Sequence, residues 1–252
     1  MTEETEDQRF ERLSRDRFVR PLPKRFYKAV TVTGQLGIAL DGRAVKTPLK
    51  VPLVLPNPAL AEAVAAEWEA QKEFINPHAM PLTKLANTAI DRATKEKAGI
   101  TAEILSFAGS DMVCYRADKP QSLVSRQAEH WDPVITWAHV KLNASFMTTN
   151  TLIHKPQPAA SLQALEAHVA AVDPFCFTAI HSLTTLTGSA LIAIMLAAGD
   201  ISVEAAWVAA NVDEDWQIET WGQDDEAMAR RAGRLHEFSC CAKFANLARG
   251  SS

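Results

Sequence analysis

The sequence predicts an α+β protein: a small N-terminal antiparallel β-sheet with covering helices, followed by an all-α orthogonal helical bundle. Three observations carry this expectation. From Phe26 to Leu55 short β-branched runs are punctuated by Gly and Pro, at Asn57-Pro58 the apolar period changes to that of a helix, and beyond Pro158 four helical blocks follow. Composition agrees, because only ten glycines occur in 252 residues and alanine is plentiful, a bias toward helix. That length suffices for one large domain or two ordinary ones.

In the first part the runs FYKAVTVT, GIALDGRAVKTP and VPLVLP read as strands, and Asp41-Gly42 is a two-residue hairpin signal. Asn57 is a good N-cap and Pro58 suits the first helical position. Leu60, Val64, Trp68, Gln71 and Ile75 then form one helix face expected to cover the sheet. Shorter helices are expected around Leu82–Arg92 and Ile100–Tyr115, then a longer one from about Pro120, interrupted where Asp132 can cap a new helix beginning at Pro133. The polar, Thr-rich segment 143–157 is the linker candidate, which divides the chain into an α+β domain, 1–142, and a helical domain, 158–252. The second part reads as Ala159–Val172, Pro174–Ala198 capped by Asp173, Val203–Trp221 capped by Ser202, and Asp224–Leu247. Pro174–Ala198 is apolar almost all round, as the central helix of a bundle must be.

The net charge of −4 conceals a gradient. Residues 1–50 carry eleven Lys or Arg against seven acids, whereas residues 200–229 carry nine acids and no Lys or Arg. Such a run repels nucleic acid and anionic membrane and steers a basic partner, or else is simply a solvated helix face. Cys114, Cys176, Cys240 and Cys241 have neither metal-ligand nor redox spacing, which points to a reducing compartment. The start MTEETEDQRFERL is acidic and lacks an apolar segment, so neither a secretory signal nor a mitochondrial presequence is expected. The charge-free stretch Pro174–Gly199 is diluted by Thr and Ser, and its densest part is too short to span a bilayer.

Catalytic motifs are missing from the sequence. There is no GxGxxG after a strand, no P-loop, no HExxH, no CxxC and no GxSxG elbow around Ser110 or Ser189. The stretch EWEAQKEFINPHAMPLTKLANTAID concentrates carboxylates, His, Lys and Trp, yet Glu67 and Glu69 are two apart and point in different directions on a helix. A surface ion pair of Glu69 with Lys72 is the simpler expectation, and Trp68 reads as an anchor to the sheet or the neighbouring domain.

The blocks RFYKAVTV, LDGRAVKTP, LAEAVAAEWEAQKEFINPHAMPLTKLANTAID, DMVCYRAD, Q-x-x-x-WDPVITWA and DEDWQIETWG, in this order, resemble the ATP synthase F(1)-sector assembly chaperones. These hold the free alpha subunit before it joins the alpha-beta hexamer. The resemblance runs from about Arg25 to Glu226. It implies a protein of two domains, α+β then all-α, with no catalytic activity, no cofactor and the ATP synthase alpha subunit as partner. The signature residues it carries over are Asp41, Gly42, Arg43, Trp68, Pro81, Asp91, Trp131, Asp132 and Pro133. Partner recognition is expected at Glu214, Gln217 and Trp221, whose spacing puts an acid, an amide and an indole on one helix face, with Asp225 and Glu226 following. The chain departs from the family at Ala227-Met228-Ala229, where eukaryotic members usually carry a His-Asp pair. Glu214 lies between Asp213 and Asp215 with no cation nearby in sequence, so its partner is expected on the alpha subunit or in the basic N-terminal region.

The expected setting is the bacterial cytoplasm, or the mitochondrial matrix for a mature eukaryotic chain, and the expected state a monomer without nucleic acid or membrane insertion. Two other classes stand against this reading: a hydrolase using Cys114 or a carboxylate, which requires a nucleophile within reach of a base, and a general holdase without client preference.

Overall fold

The computed structural model describes residues 22–151 and 153–250; the stretch on which the leader expectation rests lies outside them. β1 (Val30–Val32), β2 (Ile38–Leu40) and β3 (Arg43–Ala44) form one antiparallel sheet in that order. Asp41 and Gly42 make the β2–β3 turn with φ of 47° and 78°, the left-handed pair of a type I′ hairpin. The Asp41 carboxylate also accepts the amides of Lys28 and Ala29 at 3.1 and 2.9 Å, bonds that hold its carboxyl below the ordinary range. The third expected strand, VPLVLP, makes only isolated bridges, Lys46 to Pro52 and Gly37 to Val54. Pro52 and Pro56 have no N–H with which to extend a ladder.

Asn57 starts α1 (Pro58–Glu69) by accepting the Leu60 amide at 2.9 Å. Its Nδ2 donates to the Leu247 and Ala248 carbonyls at 2.8 and 3.0 Å, so one residue opens the first helix and closes the last. α1 stops before Gln71 and Ile75, which the apolar period included. Arg25 explains the stop: its guanidinium donates to the carbonyls of Glu69 and Gln71 and pairs with the Glu69 carboxylate at 3.0 Å, displacing the expected Lys72. Gln71 instead bonds the Glu67 carbonyl and the Asn76 amide, and Ile75 joins a small buried cluster with Tyr27, Leu40 and Met80, against which Trp68 packs.

α2 (Pro81–Thr88) has Pro81 at its first position and continues into a π-helical turn, Ala89–Ala93. Its cap comes from α1, because Glu67 accepts the amides of Leu82 and Thr83 and the Thr83 hydroxyl, each at 2.8 Å. Glu67, expected only to point away from Glu69, is therefore a remote helix cap. α3 (Lys97–Gly109) and a 3-10 turn, Met112–Cys114, lead to α4 (Gln121–Leu142). α4 runs through Pro133 without the expected break. Trp131, Val134 and Trp137 are buried on either side of it, and the indoles donate to the Ala209 carbonyl and to Asp200, both at 2.7 Å; this packing holds the helix against the missing hydrogen bond. Asp132 pairs with Arg116 at 2.7 Å instead of capping.

The described residues of segment 143–158 are non-helical and pinned. Ala144, Phe146 and Thr149 are buried, and the Gln157 amide clasps the Met147 backbone at both N–H and carbonyl, 2.8 and 2.9 Å. Beyond it lie α5 (Ala159–Ala171), α6 (Pro174–Thr187), α7 (Ala190–Ala198), α8 (Val203–Ala210), α9 (Val212–Trp221) and α10 (Asp225–Arg249). Two expected helices are each split: Gly188, at φ 73°, ends α6, and Asn211 separates α8 from α9. α7 is the buried centre, packed by α4, α6 and α10. One apolar cluster runs from Ile38 and Leu53 through Trp131 and Leu191 to Phe244, joining side chains on both sides of segment 143–158.

Asp111 ties the 3-10 turn to that centre. It is fully buried and accepts the amides of Val113 and of Leu191, in the first turn of α7, at 3.2 and 3.0 Å. Burial pushes its carboxyl up to about 6, against the pull of those hydrogen bonds and of Ser189. Because the folded value lies above the unfolded one of 3.8, the stabilisation from protonating Asp111 is complete below 3.8 and lost as pH rises through about 6. The stability of Asp111→Asn relative to wild type should accordingly fall as pH is lowered from 7 toward 5. Urea midpoints of both proteins across that range check this, and parallel curves would contradict it.

Candidate functional site

The residues of the block DEDWQIETWG form α9, a helix clipped on two sides. Toward α4, Glu219 pairs with Arg126 at 2.6 Å, Asp213 accepts the Gln127 amide at 2.7 Å, and the Trp216 indole reaches the Ser122 hydroxyl at 3.3 Å. Toward α10, Glu214 pairs with Arg234 at 2.6 Å and Arg231 at 3.1 Å, and Asp215 accepts from Arg231, whose guanidinium lies over Trp207. Gln217 and Trp221 are left facing solvent.

Gln127 explains why the motif Q-x-x-x-WDP spans α4. It is 3% exposed, donates to Asp213 on α9, and accepts the Ala117 amide at 2.7 Å from the chain before α4. One buried amide thus sets the distance between α9 and the segment 115–120. Between these two walls runs a groove of about 730 Å³ lined by Tyr115, Lys119, Pro120, Leu123, Asn150, Thr151, Trp216, Gln217 and Trp221 among others. Trp221 is 72% exposed and meets Trp216 edge-on, ring centres 5.4 Å apart. A large indole left in water beside a concave surface is the kind of feature that marks a protein-binding patch.

Of the expected partner residues, the groove takes in Gln217 and Trp221 and leaves out Glu214, Asp225 and Glu226. Glu214 has cations inside the protein, Arg231 and Arg234 of α10. Glu226 pairs with Arg230 within α10, and Asp225 sits in the first turn of that helix, beside its cap Asp224. The acidic run is therefore largely consumed by the fold: Glu214, Asp215, Glu219 and Glu226 are ion-paired, Asp200 and Asp213 accept hydrogen bonds from Trp137 and Gln127, and Asp224 caps α10.

The signature residues lie outside this groove. Arg43 is exposed at the hairpin opposite Leu40, Asp91 is buried and holds Thr47 and Leu49, and Trp131 is 1% exposed. Asp132 and Pro133 line a shallower concavity along the outer face of α4. Trp68 is half-buried, edge-on to Tyr27 at 6.0 Å, with its indole N–H buried and without an acceptor among the described residues. Sequence reasoning missed Tyr115, Pro120, Leu123 and Trp216 as groove residues. Tyr115 and Trp216 stood inside the motifs DMVCYRAD and DEDWQIETWG, the signals available; Pro120 and Leu123 reach the groove only through tertiary packing.

The four cysteines are free, and burial pushes the Cys114 thiol up to about 12, unfavourable for a nucleophile. Ser189 is fully buried and occupied in capping α7 at 3.1 Å. Among the described residues no His, Cys, Asp or Glu cluster is arranged to hold a metal ion, and no helix is long and apolar enough to cross a membrane.

Residues 24–139 match the ATP12 chaperone protein family. The mitochondrial protein atp12 of Schizosaccharomyces pombe is 24% identical over 82% of this chain and 78% of its own length. The crystal structure of Atp12 from Paracoccus denitrificans superposes with a TM-score of 0.84 at 40% identity, covering 90% of this chain and 99% of that one. The Atu1473 protein from Agrobacterium tumefaciens gives 0.83 at 42% identity, covering 92% and 88%.

Proposed function

Because this chain belongs to the ATP12 chaperone protein family, we propose that it binds the unassembled alpha subunit of the ATP synthase catalytic head and keeps it from aggregating until alpha-beta assembly. The family is one of non-catalytic chaperones, and the work is reversible covering of apolar surface that the client later buries against its neighbour. The observation that carries the reading to a surface is Trp221, exposed on the wall of the groove between α9 and the segment 115–120. On this reading Gln217 and Trp221 touch the client, while Glu214 acts by keeping α9 against α10. The proposed setting is the bacterial cytoplasm, or the matrix for a mature eukaryotic chain, and the acting species is a monomer.

Light scattering of alpha subunit diluted from denaturant, with and without the chaperone, tests the function. Wild type should suppress aggregation of alpha more strongly than that of an unrelated client, and equal suppression of both would favour a general holdase. Trp221→Ala should weaken alpha binding by about 2 kcal/mol, the scale of an interface hot spot. Its melting temperature should stay at the wild-type value, since so exposed a ring contributes little to the core. Unchanged affinity would move the contact surface away from the groove.

A further inference from the structure

The hairpin that follows β3 does not belong to the groove, yet it is built with unusual care. Thr47 and Val51 close its tip backbone to backbone at 2.8 Å, and the Lys50 amide donates to the Thr47 carbonyl at 2.9 Å. From the π-helical turn after α2, Asp91 accepts the Thr47 hydroxyl at 2.6 Å and the Leu49 amide at 3.1 Å; Asp91 is 6% exposed and Thr47 2%. A buried carboxylate thus grips the turn from behind while Leu49 and Val51 stand in water, 55% and 38% exposed. Lys50 occupies the left-handed region at φ 68°, where glycine is less strained, so the turn retains a cationic side chain at a conformational cost. Between Gly42 and Ala61 the chain has Arg43, Lys46 and Lys50 and no acid. All three are exposed, and none has a carboxylate partner among the described residues.

We propose that the tip Thr47–Val51 is a second, preformed docking element for the alpha subunit, entering an apolar concavity with an acidic rim; this rests on the alpha-binding reading above. Charge complementarity names the partner's chemistry, because Arg43, Lys46 and Lys50 stand exposed around the tip in a stretch without an acid, while most of the acidic run around α9 is spent internally. Rigidity adds to it: a turn whose backbone is already held in place loses little freedom on binding. A protein surface is favoured over an anionic membrane, since three cations fall short of the cluster of about four to eight that holds proteins at such membranes.

The test uses the full chain co-expressed with tagged alpha and, separately, tagged beta, as wild type, as Lys46→Glu/Lys50→Glu and as Leu49→Ser. Both variants should melt with the wild type, because the altered side chains are exposed, and both should recover about tenfold less alpha. The loss in the charge variant should shrink at high salt. If wild type recovers no alpha, the client reading and this proposal both fall. If wild type recovers alpha and both variants match it, the docking tip alone is overturned. Binding to phosphatidylglycerol vesicles that the variants lose while recovering alpha normally would make the tip a membrane contact and overturn it as well.

Discussion

Trp68→Arg is expected to melt far below the wild type and to accumulate as insoluble protein. Trp68, in the last turn of α1, packs against Tyr27 and the small cluster of Leu40, Ile75 and Met80. The ring face of Tyr27 is already taken by the Arg25 guanidinium, 4.6 Å from its centre, and the nearby carboxylate Glu69 is already paired with Arg25. A second guanidinium there meets the charge of Arg25 beside an acid already paired, and the indole's apolar area is lost. Together these should cost about 3–5 kcal/mol, much of a typical domain's margin. Trp68→Phe is the control: it loses area but also removes an indole N–H that is buried without an acceptor, so its cost should be small. Thermal melts of both decide the matter, and a wild-type melt for Trp68→Arg with selective loss of alpha binding would make Trp68 a contact residue.

Arg231→Ala should be the second most damaging change. The side chain is 14% exposed, lies over Trp207, and bridges Glu214 and Asp215 from α10. Without it two half-buried carboxylates face each other beside Asp213, and α9 loses its principal clip to α10. Breaking such a network costs about 3 kcal/mol. Glu214→Gln should cost only about 1 kcal/mol, because Arg231 keeps Asp215 and the released Arg234 is 45% exposed. Since Glu214 is held internally, stability should fall before affinity for alpha in both variants. Urea titrations paired with alpha capture read the order; a wild-type midpoint for Arg231→Ala would show the clip to be idle.

The first strands with their Asp41-Gly42 turn, the Asn57 cap and the buried run before Gly199, though not its break at Gly188, were legible because each is written in local chemistry: a φ > 0 pair, an acceptor before Pro, an apolar run. What was not legible depended on partners distant in sequence. α1 ends where Arg25 captures its carbonyls, Glu67 caps a helix it does not belong to, and α4 ignores Pro133 because Trp131 and Trp137 are bonded to Ala209 and Asp200. The candidate site divides in the same way. Trp221 could be singled out from an aromatic beside acids, but the cations of Glu214 and the opposite wall of the groove come from α10 and from residues 115–123, which no spacing within the motif reveals.

Capture of the client tests the central claim most directly. Tagged protein purified from cells making it together with untagged alpha and beta subunits should bring down alpha, little beta, and no assembled alpha-beta complex. Recovery of beta alone, or of neither subunit, would contradict the account.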